Sequence, residues 1–196
     1  MVGPTGILRF VLANVSLTNA EVGVPAFEVE LVSVHVRENV PVGIYVARLA
    51  ASYDFGKTDL EYSIMSETAN NGSAEDRLFR IESQTGYVRT AAAIDREAVQ
   101  QITVVVVAST RRSPRQRQST ATLVVMVTDV NDNSPVFSAA ETRVRVMEDV
   151  AEGYIVAMVV AKDADAPGPN SHITYAITSG NEKGHFALDD KSGAVF

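Results

Sequence analysis

The chain has 196 residues, 46% hydrophobic and 21% charged, which is ordinary globular usage and excludes a long disordered chain. At roughly 100–200 residues per domain this is one large domain or two small ones. A net charge of −7 makes a poor nucleic-acid binder, and the absence of Cys removes disulfides, thiolate metal sites and Cys nucleophiles.

The predicted elements are strands, each a short Val-rich run bounded by Gly, Pro, Asn or Asp. In chain order they are Glu30–Val36, Val42–Ala50, Leu60–Met65, Gly86–Ala91, Gln101–Ala108 and Thr120–Thr128. Then come Thr142–Met147, Tyr154–Ala161, Ile173–Thr178 and Ala194–Phe196. No stretch sustains a helical period, and strands separated by turn residues read as an antiparallel sandwich. The Val104–Val107 run loses the alternation of a half-wet strand, so it is either a central strand covered on both sides or tolerates Val outside. The longest apolar stretch, Tyr154 to Ala161, is far below the roughly 20 residues of a membrane span. Met1 to Ala20 has neither the basic nor the apolar region of a signal peptide. Because the chain stops inside a strand-like run at Phe196, it reads as a piece of something longer.

The sequence repeats itself. Pro25-Ala26-Phe27 recurs as Pro135-Val136-Phe137, at an offset of 110. Glu38, Gly43, Val46 and Ala51 recur at the same offset as Glu148, Gly153, Val156 and Ala161. Tyr62-Ser63-Ile64 returns as Tyr175-Ala176-Ile177, and Phe79 and Gly86 as Phe186 and Gly193. Matches in one order at nearly one offset define a tandem array, with the second copy cut a little past halfway.

The copies are joined by Asp129-Val130-Asn131-Asp132-Asn133-Ser134-Pro135. Four of its first five residues carry a carboxylate or carboxamide, an oxygen-rich set suited to Ca²⁺. Asn, Asp and Pro also favour turns, so an Asx-turn linker is the plain alternative. Glu38, Asp95-Arg96-Glu97 and Asp163-Ala164-Asp165 sit at loop or strand-end positions of the two copies. An enzyme reading finds only Asp95 and Glu97 as an acid/base pair, with no Gly-rich phosphate loop and no nucleophile motif beside them.

Pro-x-Phe followed by Glu38-Asn39, Asp95-Arg96-Glu97, Asp129-x-Asn131-Asp132-Asn133-x-Pro135 and Asp163-x-Asp165 resembles the cadherin repeat, over residues 25–196. The resemblance implies an all-β fold of tandem Greek-key β-sandwich repeats. Residues 1–24 are then the last strand of a preceding repeat, Ile7–Thr18, with a degenerate linker. Residues 25–133 form a complete repeat and 134–196 the N-terminal part of a second.

The resemblance also implies three Ca²⁺ ions between repeats. Glu38, Asp95, Glu97 and Asp132 would hold the first. Glu38, Glu97, Asp129, Asp132, Asp165 and the Val130 carbonyl would hold the second. Asn131, Asp163, Asp165 and the carbonyls of Asn133 and a residue near Asn170 would hold the third. That third site lacks an Asp that the family draws from a late strand, so it is expected to be weak. Three Ca²⁺ would take the net charge from −7 to −1 and replace the missing disulfides as a staple.

The implied function is calcium-dependent cell–cell adhesion or recognition, with other cadherin ectodomains as partners, homophilic or heterophilic. The implied location is the extracellular part of a plasma-membrane protein, and the alternative role is a mechanical spacer or receptor element without adhesive contact. The absence of Trp argues against the outermost, strand-swapping repeat, and the irregular upstream linker looks more like the long non-swapping groups, Fat, Dachsous or protocadherin-like. The upstream linker Asn19–Pro25 and the pair Tyr53 and Phe55 have lost the acidic ligands, so that junction reads as calcium-poor. Asn14 and Asn71 begin glycosylation sequons, and Arg111–Arg117 is a basic hairpin loop read as solvated.

Overall fold

The computed structural model describes residues 11–12, 23–54, 60–68, 77–111 and 117–196. The sequons at Asn14 and Asn71, the linker residues 19–22, Phe55 and most of the basic hairpin lie outside the described residues. Two compact units divide the chain, Met1–Asp129 and Val130–Phe196.

In the first unit the strands are β1 (Val11–Leu12), β2 (Ala26–Phe27), β3 (Leu31–Arg37), β4 (Tyr45–Arg48) and β5 (Ala51–Ser52). They continue with β6 (Leu60–Glu67), β7 (Phe79–Ile81), β8 (Tyr87–Thr90), β9 (Gln101–Thr110) and β10 (Gln118–Thr128). A five-stranded sheet runs β1-β3-β10-β9-β6, a three-stranded sheet β4-β8-β7, and β2 pairs with β5. The core lies between the sheets. Val34, Val36, Ile102, Val104, Val106, Leu123 and Val125 face Val46, Leu49, Phe79 and Val88, as in sheet-on-sheet packing. β9 lies inside its sheet between β10 and β6, and its Val run still has two unlike faces: Val104 and Val106 are buried in the core while Val105 is half-buried on the other side, so the strand tolerates Val outside.

Three details depart from the sequence reading. β3 and β10 run parallel, from Leu31 opposite Thr122 to Arg37 opposite Thr128, because the chain crosses to the other sheet between them. The run Val42–Ala50 is not one strand: a bulge between Tyr45 and Ala47 turns Val46 and Ala47 inward together, and β5 then leaves for another sheet. Val11–Leu12, within the strand assigned to a preceding repeat, pairs antiparallel with β3, on the edge of the first unit's own sheet.

The second unit has β11 (Val136–Phe137), β12 (Ala157–Met158), β13 (Ala161–Lys162) and β14 (Ala194–Val195). β11 pairs with β13 and β12 with β14. Thr142–Met147 and Ile173–Thr178, predicted as strands, form no ladder. Their first-unit counterparts β3 and β6 pair with β10 and β9, and no described strand of the second unit takes the place of β9 and β10.

The duplication is visible in single atoms. The Ala51 N–H donates to the Tyr62 hydroxyl at 2.9 Å, and the Ala161 N–H to the Tyr175 hydroxyl at 2.9 Å. Phe27 lies 6.2 Å from Tyr62, centroid to centroid, and Phe137 lies 6.2 Å from Tyr175.

Candidate metal centre

In the first unit the acidic residues are presented by strand ends. Glu38 follows β3 directly. Its N–H donates to the Thr128 carbonyl at 3.0 Å, and the next N–H, of Asn39, to Ile94 at 3.0 Å. Asn39 adopts φ 57°, a left-handed conformation that Asn tolerates better than most residues. This turn buries Glu38, which is 2% exposed, and its Oε2 accepts the Arg96 N–H at 2.8 Å.

Asp95 opens a turn of its own. Its Oδ1 accepts the N–H groups of Glu97 at 2.9 Å and Ala98 at 3.2 Å, a local cap that fixes the Asp-Arg-Glu segment. Glu38, Asp95 and Glu97 each offer a carboxylate oxygen within 4.8 Å of the others. Three such charges repel. The Glu97 carboxyl is held above its ordinary range, by burial first and then by the Glu38 charge, against the pull of its own N–H and of Arg96. Arg96 forms ion pairs with both Glu97 and Asp129.

The second unit gathers the remaining sequence-predicted residues. Asp163 follows β13, and its Oδ1 accepts the Asp165 N–H at 3.0 Å. Asp165 Oδ1 accepts the Asn133 N–H at 3.2 Å and the Asn133 Nδ2 at 2.8 Å, while that Nδ2 also reaches Asp132 Oδ1 at 2.8 Å. Asn131 Nδ2 donates to the Asn170 carbonyl at 3.2 Å, which brings that carbonyl beside the linker. Asp165 is only 5% exposed, and its Oδ2 accepts no hydrogen bond. A buried anionic oxygen without a donor is costly unless a cation satisfies it. The donors in each unit are hard carboxylate, carboxamide and carbonyl oxygens, and His and Cys take no part, so the set fits Ca²⁺.

At the upstream end Asp54 is engaged differently: its Oδ2 accepts the Gly23 N–H at 3.0 Å. The residue that sequence reasoning left without a role is Arg96. The signal was its place between the two acids of Asp95-Arg96-Glu97, but an Arg beside acidic residues ordinarily reads as a solvated charge.

These features define a tandem β-sandwich module with acidic clusters at its strand ends. The chain belongs to the cadherin family: the cadherin domain matches residues 32–128 and 142–196. Protocadherin-like wing polarity protein stan of Drosophila melanogaster is 38% identical over 181 residues, covering 87% of this chain and 5% of that protein. Human Protocadherin Fat 1 is 34% identical over 192 residues, covering 96% of this chain and 4% of that protein. The chain thus spans about a twentieth of the length of these relatives. Among solved structures, the Protocadherin GammaB4 extracellular domain superposes with a TM-score of 0.75 at 28% identity, over 88% of this chain and 29% of that one. Mouse Cadherin-23 EC22-24 gives 0.72 at 26% identity, over 88% and 53%. Cadherin ectodomain repeats are adhesion modules and not enzymes, and as a class they bind calcium between repeats. Among the described residues no helix is long and apolar enough to cross a membrane.

Proposed function

We propose that this chain is a segment of a cadherin ectodomain, made rigid by calcium at the linker 129–135, in a protein that mediates cell–cell adhesion or recognition. The module boundaries are those read from the sequence: the last strand of a preceding repeat with a degenerate linker over 1–24, a repeat over 25–133 and the start of the next from 134. Glu38, Asp95, Glu97 and Asp129 are the ligands of the first repeat. Asp132, Asp163, Asp165, Asn131 and the carbonyls of Val130, Asn133 and Asn170 are those of the linker and second repeat. Bound calcium supplies positive charge to carboxylates that otherwise repel. The chain's own residues do the positioning: Asp95 by capping its turn, Asp163 by holding the Asp165 backbone, and Asn133 by steering Asp165 Oδ1. The partners are other cadherin ectodomains, homophilic or heterophilic, and the location is the outer face of the plasma membrane. The single observation that carries the reading is the buried, undonated Asp165 Oδ2.

Thermal unfolding in millimolar Ca²⁺ and in chelator tests it. Binding to the folded state alone adds about 2.7 kcal/mol per site at a hundredfold excess over Kd. The two melts are therefore expected to differ by many degrees, and Asp132→Ala to remove most of the difference. Overlapping wild-type melts would sink the assignment.

A further inference from the structure

Arg96 is the residue of the acidic cluster whose charge has the wrong sign for a ligand. It is 7% exposed, so its charge is withdrawn from water and needs partners in the fold. Its guanidinium pairs with Glu97 through Nη2 and with Asp129 through Nε, and its backbone N–H holds Glu38 Oε2. One residue thus touches three of the carboxylates assigned above as ligands. The Glu97 and Asp129 side chains are themselves only 21% and 12% exposed, so solvent screens these pairs weakly.

We infer that Arg96 is an internal counter-cation, which holds Glu97 and Asp129 in the calcium-free repeat and opposes calcium for the same two carboxylates. The inference rests on the calcium reading of the linker. In the calcium-free chain the guanidinium relieves repulsion among Glu38, Asp95, Glu97 and Asp129, so its charge stabilises the repeat most there. Once Glu97 and Asp129 also face a divalent cation, their attraction for Arg96 is partly cancelled and the two positive charges repel. Arg96 and calcium are then negatively coupled, and the coupling is reciprocal: each lowers the other's contribution by the same factor. The device sets affinity. It keeps the first repeat folded at low calcium, and it raises the calcium concentration at which the linker fills.

The test uses the full 196-residue chain with Arg96→Met, which keeps an apolar stem and removes the charge, and Arg96→Lys, which keeps the charge. Unfolding midpoints are measured in chelator and in millimolar Ca²⁺, with calorimetric calcium titration. Arg96→Met is expected to lower the midpoint more in chelator than in Ca²⁺, which widens the calcium-dependent gap. Its half-saturating calcium should fall by about fivefold, the low end of ordinary coupling between sites. Arg96→Lys should keep most of the wild-type gap. Equal losses in both buffers would show that Arg96 only packs. A narrowed gap would show that it positions ligands for calcium instead, and a Met variant that folds in neither buffer would show a role that calcium does not replace; each of these overturns the inference. If the wild-type melts coincide, the calcium reading itself fails and takes the inference with it. A wild-type gap that Arg96→Met leaves unchanged removes the inference alone.

Discussion

Gly86 and Gly193 sit at equivalent points of the two copies, and each is obligatory for the same reason. Gly86 has φ +72°, and a Cβ there would lie 2.2 Å from the Leu49 carbonyl oxygen; Gly193 has φ +73°, and a Cβ would lie 2.1 Å from that of Val159. The obstruction is backbone, which a rotamer change does not relieve. The close approach is used: the Leu49 N–H donates to the Gly86 carbonyl at 3.0 Å and the Val159 N–H to that of Gly193 at 2.9 Å. Gly86→Ala is therefore expected to destabilise the first unit by about 1–3 kcal/mol from backbone strain alone, with the clash adding to it. Gly153→Ala is the control, since φ is +79° there but nothing lies within 4 Å of the added carbon. Denaturant midpoints should fall further for Gly86→Ala, and equal falls would mean that the carbonyl approach carries no cost. The sequence showed that Gly86 and Gly193 correspond, but not why. Both the φ and the carbonyl approach are tertiary, and hydropathy does not record them. The same limit applies at the acidic cluster. The residue types and spacing of Asp129–Pro135, Asp95-Arg96-Glu97 and Asp163-x-Asp165 are written in the chain. The guanidinium of Arg96 between Glu97 and Asp129 is not, because Asp129 lies 33 positions away and only the turn after β8 brings them together.

The strands that were legible are those whose apolar runs are long and whose partners lie within the sequence: β3, β6, β9 and β10 match their predicted runs to within two residues. β7, Phe79–Ile81, escaped notice because three residues with Arg in the middle form no run. It is fixed instead by a side chain. Glu67, at the end of β6, is buried, and its two oxygens accept the N–H groups of Leu78 at 2.8 Å and Phe79 at 3.3 Å, tying β6 to the start of β7. Burial pushes the Glu67 carboxyl above its ordinary range, while the Leu78 and Phe79 N–H groups and the Arg77 charge pull it back in part. The folded state thus holds this proton more firmly than the unfolded one. The group's contribution to stability is full below the ordinary glutamate value and declines as pH rises through the raised folded value. Glu67→Gln removes that decline. Urea unfolding of the variant and wild type at several pH values should show the variant gaining relative to wild type as pH rises toward 7, and parallel curves would contradict the burial argument.

The two units are unequally built, although their sequences correspond. Val34 is fully buried in the first, whereas its counterpart Val144 is 50% exposed in the second. Phe79, on β7, is buried in the core formed with residues of β9 and β10, and its counterpart Phe186 is exposed. Buried apolar contact sets local opening free energy. Amide exchange by mass spectrometry or NMR is therefore expected to show β9 and β10 as the slowest segments, with β12 and β14 exchanging orders of magnitude faster. Uniform protection across both units would contradict this. The parallel pairing of β3 with β10 has a further consequence for the first unit. The polypeptide comes into this ladder at Leu31 and leaves it at Thr128, the opposite end, with seven residue pairs between. Tension carried through the chain therefore loads β3 and β10 in shear, so their hydrogen bonds resist it together instead of opening one after another like a zip.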